Sequence, residues 1–261
     1  MNQNKVERDA LKEFLDRKVI ESDHPSFIPT DPVSIPHLFK NKSDREIAGF
    51  FASIFAWGHR TTIISKTRLL MQLMDMAPHD FICNHGKEDL KKLLSFKHRT
   101  FNATDLLYFV SFLHHHYSSG ESLSTAFTRY MKPSDRDITN ALNGFYKYFF
   151  SLEDVPYRTR KHIATPEKKA TCKRLNMFLR WMVRRNSAVD FGIWRTIHPS
   201  QLICPIDIHV GRVAKKFGLL QRKQTDWQAA VELTEALRMM NPKDPVAYDF
   251  ALFSLGANER F

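Results

Sequence analysis

The stretch "CPIDIHVGRVAKKFGLL", Cys204 to Leu220, decides how this chain should fold, because it reads as one amphipathic helix with a signal at each end. Asp207 is a residue type that accepts backbone N–H bonds at a helix start, and Gly218 is one that ends a helix. Apolar residues recur between them at helical spacing and predict a buried face made of Val210, Val213, Ala214 and Phe217. The sequence therefore predicts a capped helix here, and the role of His209 is left open.

The same helical spacing recurs along most of the chain. A capping box of Ser43 and Glu46 predicts a helix that lasts until Gly58 and buries Ile47, Phe50, Phe51, Ile54 and Phe55. Further helices are predicted from about Thr104 to Tyr117, from a Ser134/Asp137 box to Phe149, from Glu167 to Arg185, from a Thr225/Gln228 cap to Asn241, and from Asp244 to Gly256. Strand signals are few, so the predicted fold class is all-α.

One of these helices, Glu167 to Arg185, has an apolar stripe of Leu175, Phe178, Leu179 and Met182. Its basic residues fall outside the stripe and predict a positive polar face: Lys173, Arg174, Arg180 and Arg184. The polar stretch Glu153 to Lys169 is basic as well, with Arg158, Arg160, Lys161 and His162. We interpret that stretch either as a surface that meets phosphates or as a solvated loop.

Composition bounds the function. With 261 residues, of which 43% are hydrophobic, the chain can bury a large core, and its net charge of +11 favours a polyanionic partner, nucleic acid before an acidic membrane surface. Three cysteines stand far apart and form no C-x-x-C pair, so neither a disulfide framework nor a cysteine-rich metal site is indicated. We expect a protein of the cytoplasm with no membrane span, metal or cofactor.

The segment "IDIHVGRVAKKFGLL" resembles the segment that follows the hairpin in helix-hairpin-helix DNA glycosylases of the endonuclease III and adenine glycosylase types. On that resemblance Asp207 stands at the position of the catalytic aspartate. A carboxylate at a helix start can stabilise the positive charge that develops on the sugar when an N-glycosidic bond breaks, or accept a proton from the nucleophile. The resemblance implies a two-lobed helical enzyme that acts on double-stranded, damaged DNA as a monomer.

Most of the chain is similar to a bacterial family of unknown function that is grouped with these glycosylases. The segments "CKRLNMFLRWMVRR", "VDFGIW", "SQL", "IDIHV" and "DPVAYDFALFSLG" carry that similarity. The stretch "IAGFFASIFAWGHR", Ile47 to Arg60, resembles the glycosylase helix that ends at the lesion-side loop. It implies that Trp57, His59 and Arg60 face the DNA, with core packing as the alternative interpretation of Trp57.

The hairpin itself is degenerate or replaced. Glycosylase hairpins read like "LPGVGRKTA", whereas this chain has "NSAVDFGIWRTIHPSQLICP", with one glycine and no lysine. In outline this resembles the archaeal oxidised-guanine branch, in which a longer insertion replaces the hairpin and the reactive lysine lies on the preceding helix. Asn176 stands nearest to that lysine position, and Lys173 is one turn earlier. A Lys173 nucleophile, a water nucleophile and lost catalysis therefore stay open.

We predict one glycosylase-like domain over residues 1–261, with an N-terminal strap over 1–40, a first lobe mainly over 41–155, and a second lobe mainly over 165–261. DNA contacts are predicted for Arg174, Asn176, Arg180, Arg184 and His209, although a structural role for His209 is favoured. The run His114 to His116 is not predicted to bind metal, because successive helix residues point about 100° apart. Asp190 is interpreted as a cap or turn residue, and Asp249 as a buried acid paired with an arginine.

Two function classes follow from these observations. The first is a DNA base-excision glycosylase, with or without lyase activity at the resulting abasic site, that uses Asp207 and Lys173. The second is a non-catalytic nucleic-acid-binding module on the same scaffold.

Overall fold

The computed structural model describes residues 3–257, and over that range the chain is mainly helical. Its α-helices are α1 (Gln3–Ser22), α2 (Lys42–Ile54), α3 (Arg60–Leu73), α4 (Pro78–Asn84), α5 (Lys87–Lys92), α6 (Ala103–Tyr117), α7 (Leu123–Thr128), α8 (Thr139–Phe149), α9 (Lys173–Val183), α10 (Ile208–Lys216), α11 (Trp227–Arg238) and α12 (Tyr248–Ala257). Short 3₁₀ helices span Pro25–Thr30, Pro32–Ser34, Pro36–Leu38, Tyr157–His162, Pro166–Lys168, Pro199–Gln201 and Pro245–Ala247. Strands β1 (Lys97–His98) and β2 (Phe101–Asn102) form one antiparallel pair. The predicted all-α class is confirmed.

The helix α10 is confirmed with its buried Val210, Val213 and Ala214, whereas Phe217, predicted to be buried as well, is half-buried just after the helix. The Asp207 carboxylate accepts the backbone N–H of Val210 at 2.9 Å, and Gly218 follows the helix with a left-handed φ of +69°. At α2, by contrast, the predicted capping box is wrong. Asn41 caps that helix and accepts the N–H of Ser43 at 2.9 Å. Glu46 is fully buried and instead accepts hydrogen bonds from the Tyr117 hydroxyl, the Ser122 hydroxyl and the Leu123 N–H.

Three other helices begin later than the sequence predicts. The helix α9 begins at Lys173 rather than Glu167, because Cys172 has a left-handed φ of +52° that interrupts any helix arriving from Pro166–Lys168. The helix α8 begins at Thr139, beyond the predicted Ser134/Asp137 box. At α11 the cap is Asp226 rather than Thr225, and its carboxylate accepts the Ala229 N–H at 3.0 Å.

The chain divides into two compact units. The first unit contains the chain up to Phe27, the short segment Asp135–Ile138, and the chain from Pro166 onward; the second contains Ile28–Ser134 and Thr139–Thr165. The segment 1–40, predicted as a strap, is thus shared between them, and most of its part in the first unit is the helix α1.

In the first unit, α12 packs against both α1 and α10. The backbones of α10 and α12 approach closely at Gly256, where an added Cβ would lie 2.9 Å from the His209 carbonyl oxygen. The Tyr248 hydroxyl at the start of α12 donates a 2.7 Å hydrogen bond to Asp16 of α1. These contacts hold the start of α10, and hence Asp207, against the C-terminal helix.

The second unit has a core of aromatic rings. Nine phenylalanines in it are completely buried: Phe50, Phe51, Phe55, Phe101, Phe109, Phe112, Phe127, Phe145 and Phe149. The rings of Phe127 and Phe145 are stacked, with centroids 4.0 Å apart and planes 8° from parallel. Such rings contribute both their buried area and their mutual contacts to stability.

Within residues 3–257, the helices are all too short or too polar to span a lipid bilayer.

Candidate active site at Asp207

The N-terminus of α10 presents a carboxylate with two different partners. Asp207 has an extended backbone and uses Oδ1 to accept the Val210 N–H. Its Oδ2 faces the ammonium of Lys173, with Nζ 2.9 Å away. The Asp207 side chain is 16% exposed and that of Lys173 33% exposed, so the pair is partly desolvated and still open to solvent. The structure therefore brings together the two residues that the sequence predicts as catalytic.

The Lys173 ammonium stabilises the ionised form of the Asp207 carboxyl. Burial alone would raise the pKa of the Asp207 carboxyl, but the charge and hydrogen bond of Lys173, together with the Val210 N–H, outweigh it and hold that pKa below its usual value. Asp207 is consequently ionised at neutral pH, as a group that stabilises positive charge must be. The position of Lys173, on the first turn of α9, makes this contact possible.

A second carboxylate lies deeper in the same unit. Asp249 of α12 accepts a hydrogen bond from Arg180, and the Cys204 thiol stands 3.9 Å from its Oδ1. Burial raises the pKa of Asp249 to about 6, the Arg180 charge opposes that rise, and the Asp207 charge adds to it. Asp207 and Asp249 are thus two carboxyl groups whose pKa values are displaced in opposite directions. The predicted pairing of Asp249 with an arginine is confirmed.

Arg180 and Arg184 are not on an exposed basic face, and that prediction is wrong. Arg184 is buried among three aspartates, with N–O distances of 2.8 Å to Asp244, 2.9 Å to Asp190 and 3.0 Å to Asp23. Arg180 is also buried and lies 3.3 Å from Asp190. Asp190 joins the two arginines, which goes beyond the predicted cap or turn role.

Of the remaining predicted residues of α9, Asn176 is enclosed and Arg174 is half-buried. Asn176 is completely buried and donates a 3.1 Å hydrogen bond to the Thr171 carbonyl. Its Oδ1 is buried and has no hydrogen-bond partner within residues 3–257. Burial lowers the pKa of the Arg174 guanidinium to about 10. The prediction that Asn176 contacts DNA is not compatible with this position, because its side chain reaches no surface.

His209 lies on the surface at the first turn of α10, and its Nδ1 is 3.2 Å from the Gly256 carbonyl oxygen. This contact fits the favoured structural interpretation and leaves the ring accessible. Its positive charge, when protonated, would also lower the pKa of Asp207.

Trp57, His59 and Arg60 belong to the second unit. Trp57 is half-buried and stacks on His162, with ring centroids 5.6 Å apart and planes 12° from parallel. His59 is exposed and immediately precedes α3, and Arg60 is the first residue of that helix. The half-buried position of Trp57 agrees in part with the alternative of core packing. His59 is exposed, as a residue that contacts DNA must be.

His114 and His116, from the run of three histidines in α6, each contact different groups. His114 Nδ1 is 2.8 Å from the Ile82 carbonyl oxygen, whereas His116 contacts the Tyr148 hydroxyl and the Ser122 carbonyl oxygen. In the part of the chain that the structure describes, no three His, Cys, Asp or Glu side chains are arranged to hold a metal ion.

Residues 31–258 match the model of a family described as "Protein of unknown function (DUF2400)". No curated protein and no solved structure matches the chain significantly.

Proposed function

The chain belongs to the DUF2400 family, whose description gives no function, and we propose that it is a DNA base-excision glycosylase. The observation that carries the proposal is the 2.9 Å contact between Lys173 Nζ and Asp207 Oδ2 at a partly open position. An amine beside a carboxylate at a helix start is the arrangement needed to attack a sugar and stabilise its charge.

In the proposed reaction, the Lys173 ammonium gives one proton to the departing base, and the resulting amine attacks C1′ of the sugar of a nucleotide turned out of the duplex. A bond forms between Nζ and C1′, and the bond from C1′ to the base breaks, with its electron pair leaving on the base, which keeps that proton. Asp207 stabilises the positive charge on the sugar and accepts the proton that the attacking nitrogen releases. Opening of the sugar ring then gives an imine, which permits strand cleavage by a lyase step.

We also propose the finer fold: a two-lobed glycosylase-like body with a replaced hairpin. Between α9 and α10 the structure describes every residue, and that segment contains one short 3₁₀ helix, Pro199–Gln201, and no α-helical hairpin. Residues 184–207 would thus stand where glycosylases carry their hairpin. Double-stranded DNA with a damaged base is the proposed partner, and Trp57, His59 and Arg60 stay as proposed contacts.

Asp207→Asn tests the carboxylate, with Asp226→Asn as a matched control. Both aspartates cap a helix through the N–H three residues on, and both pair with a basic side chain, Asp226 with Arg222 at 2.6 Å. On duplexes carrying oxidised guanine, uracil or an alkylated purine, Asp207→Asn should slow base release about a hundredfold or more. Asp226→Asn should release base at the wild-type rate. Equal rates in both variants would refute the assignment of Asp207.

Lys173→Gln tests the nucleophile. Borohydride reduces an imine to a stable bond, so wild-type protein should become covalently attached to the DNA, and Lys173→Gln should lose attachment and strand cleavage together. If Lys173→Gln still releases base without attachment, water is the nucleophile and the enzyme lacks the lyase step.

The alternative is a non-catalytic nucleic-acid-binding module. It is favoured by the fact that both Asp207 oxygens already have structural partners, the Val210 N–H and the Lys173 ammonium. Wild-type protein that binds these duplexes but releases no base from any of them would support this alternative.

A further inference from the structure

The two-residue turn between β1 and β2 places an arginine in an unusual backbone conformation. Arg99 has a φ of +53°, a left-handed value that glycine adopts freely and that is strained for residues with a Cβ. Opposite it stands Gly58, with a φ of +99°, and a Cβ at Gly58 would collide with the Arg99 guanidinium. A strained arginine and a closely fitted glycine therefore hold the guanidinium over the loop between α2 and α3. Such strain is often retained where a side chain serves a function.

Two further segments of the second unit reach the same turn. Arg158 donates a 2.8 Å hydrogen bond to the carbonyl oxygen of Thr100, the residue after Arg99. Tyr157 precedes Arg158 and is 89% exposed, which is unusual for so large an aromatic side chain. Trp57, next to Gly58, stacks on His162 of the same 3₁₀ helix. We call Trp57, Gly58, Arg99, Tyr157 and Arg158 the turn surface.

The buried carboxylate of Asp105 contacts the residues that carry the turn surface. Asp105 is fully buried, and its oxygens accept hydrogen bonds from the Asn102 N–H and the Thr159 hydroxyl. The same carboxylate lies 3.4 Å from an Arg158 nitrogen and 3.3 Å from His162 Nε2. Asp105 thereby orients both Arg158 and the ring on which Trp57 rests.

Two cations act on His98, the buried histidine of β1 that precedes Arg99. Burial lowers the pKa of His98, its contact with the Phe55 carbonyl opposes that change, and the charges of Arg99 and Lys66 lower the pKa further. Arg99 itself is exposed. The exposed Tyr157 is adjacent in sequence to Arg158, which contacts the turn that carries Arg99. An exposed ring that can stack on a base and cations that can bind the flanking phosphates are the two features that recognise an unpaired nucleotide.

We propose that the turn surface binds a single-stranded stretch of nucleic acid, with Arg99 and Arg158 at phosphates and Tyr157 stacked on a base. An acidic peptide would satisfy the arginines but would give Tyr157 no partner, and a paired duplex would not present a base face to it. The turn surface shares Trp57 with the duplex contacts proposed above but contains neither Lys173 nor Asp207. The variants Tyr157→Ala and Arg99→Gly change the turn surface alone, so the two proposals can fail separately.

The test is the fluorescence anisotropy of a labelled thymidine oligonucleotide of about 12 nucleotides, titrated with the full chain at several salt concentrations. Tyr157→Ala should weaken binding about tenfold and leave its salt dependence unchanged. Arg99→Gly should weaken binding and reduce the slope of log affinity against log salt by about 0.7. Because glycine suits a φ of +53°, Arg99→Gly should keep or raise the melting temperature, which separates lost binding from lost structure.

Arg136→Gln is the charge control. Arg136 lies in the first unit, is 73% exposed and pairs with Glu235, so the variant removes one positive charge from the unit that does not carry the turn surface. It should bind the oligonucleotide nearly as wild type does. Unchanged affinity in Tyr157→Ala and Arg99→Gly, or an equal loss in Arg136→Gln, would overturn the proposal.

Two competitors sharpen the result. Polyglutamate that displaces the oligonucleotide equally from wild type and Tyr157→Ala, at matched charge concentration, would overturn the assignment to nucleic acid. A duplex of the same length that binds more tightly than the single strand, regardless of Tyr157, would overturn the single-stranded assignment. If the protein releases base from damaged duplexes but Tyr157→Ala binds the oligonucleotide as tightly as wild type, only the proposal for the turn surface is rejected. If Tyr157→Ala weakens oligonucleotide binding but wild type releases no base, only the proposed enzyme activity is rejected.

Discussion

The two units of this chain differ in where their arginines lie. The first unit buries charge: Arg180 and Arg184 lie inside it among Asp23, Asp190, Asp244 and Asp249. The second unit buries rings, and its Arg99 and Tyr157 lie on the surface. A basic sequence segment therefore does not mark a basic surface, because opposite charges far along the chain can enclose it. The predictions that follow test this contrast, beginning with the buried charges.

Arg184→Ala should destabilise the protein by about 3–5 kcal/mol, because it leaves the buried Asp190 and the half-buried Asp23 and Asp244 without their shared cation. Urea unfolding followed by circular dichroism would measure the loss. Arg136→Ala is the control, since Arg136 pairs with Glu235 at an exposed position and should cost at most about 1 kcal/mol. Similar losses of unfolding free energy in the two variants would contradict the prediction that the buried ion pairs of Arg184 stabilise the protein more than an exposed pair does.

Phe145→Ala in the second unit should cost about 3–5 kcal/mol by a different mechanism. It removes a buried ring stacked on Phe127 and leaves a cavity, and both effects are independent of pH. Unfolding at pH 5 and pH 8 should therefore give the same loss relative to wild type. A pH-dependent loss would show that ionisable groups share in this core.

Asp249 makes the first unit sensitive to pH. Its pKa is about 6 in the folded protein against an ordinary value of 3.8, so the folded state holds a proton that the unfolded chain releases. The stability due to that proton is fully present below about pH 4 and is lost as the pH rises through 6. The loss is about 3 kcal/mol, as two pKa units imply.

The measurement compares wild type with Asp249→Asn by urea unfolding between pH 4 and 7. Asparagine cannot ionise, so the free energy of unfolding of wild type should fall relative to the variant across that range. Subtracting the variant also removes the contribution of Asp244, whose pKa burial raises as well. Parallel curves for the two proteins would contradict the raised pKa of Asp249.

Local signals made part of this molecule predictable. The cap at Asp207 and the end at Gly218 depend on neighbours within a few residues, so the sequence predicts α10 correctly. The sequence leaves the contact between Lys173 and Asp207 as one of several alternatives, because the two residues are 34 positions apart. The sequence predicts an exposed Arg184 wrongly, because its partner Asp23 is 161 residues away and no periodicity reports that distance. The strain at Arg99 has no sequence signal at all, since it arises from the turn that the two strands impose.

The smallest expected effect is on the stability of Asp207→Asn. Asparagine caps a helix about as well as aspartate, and the ion pair with Lys173 is partly exposed, so the variant should lose no more than about 1 kcal/mol. Asp226→Asn, with the same cap geometry and a similarly exposed ion pair to Arg222, should lose a similar amount. Thermal unfolding of both variants would measure these losses. If Asp207→Asn lost several kcal/mol while Asp226→Asn lost little, the carboxylate would be a structural centre of the first unit, and its slower base release could no longer be ascribed to chemistry. Nearly equal, small losses would leave a change in base release to be explained by the charge at Asp207 itself.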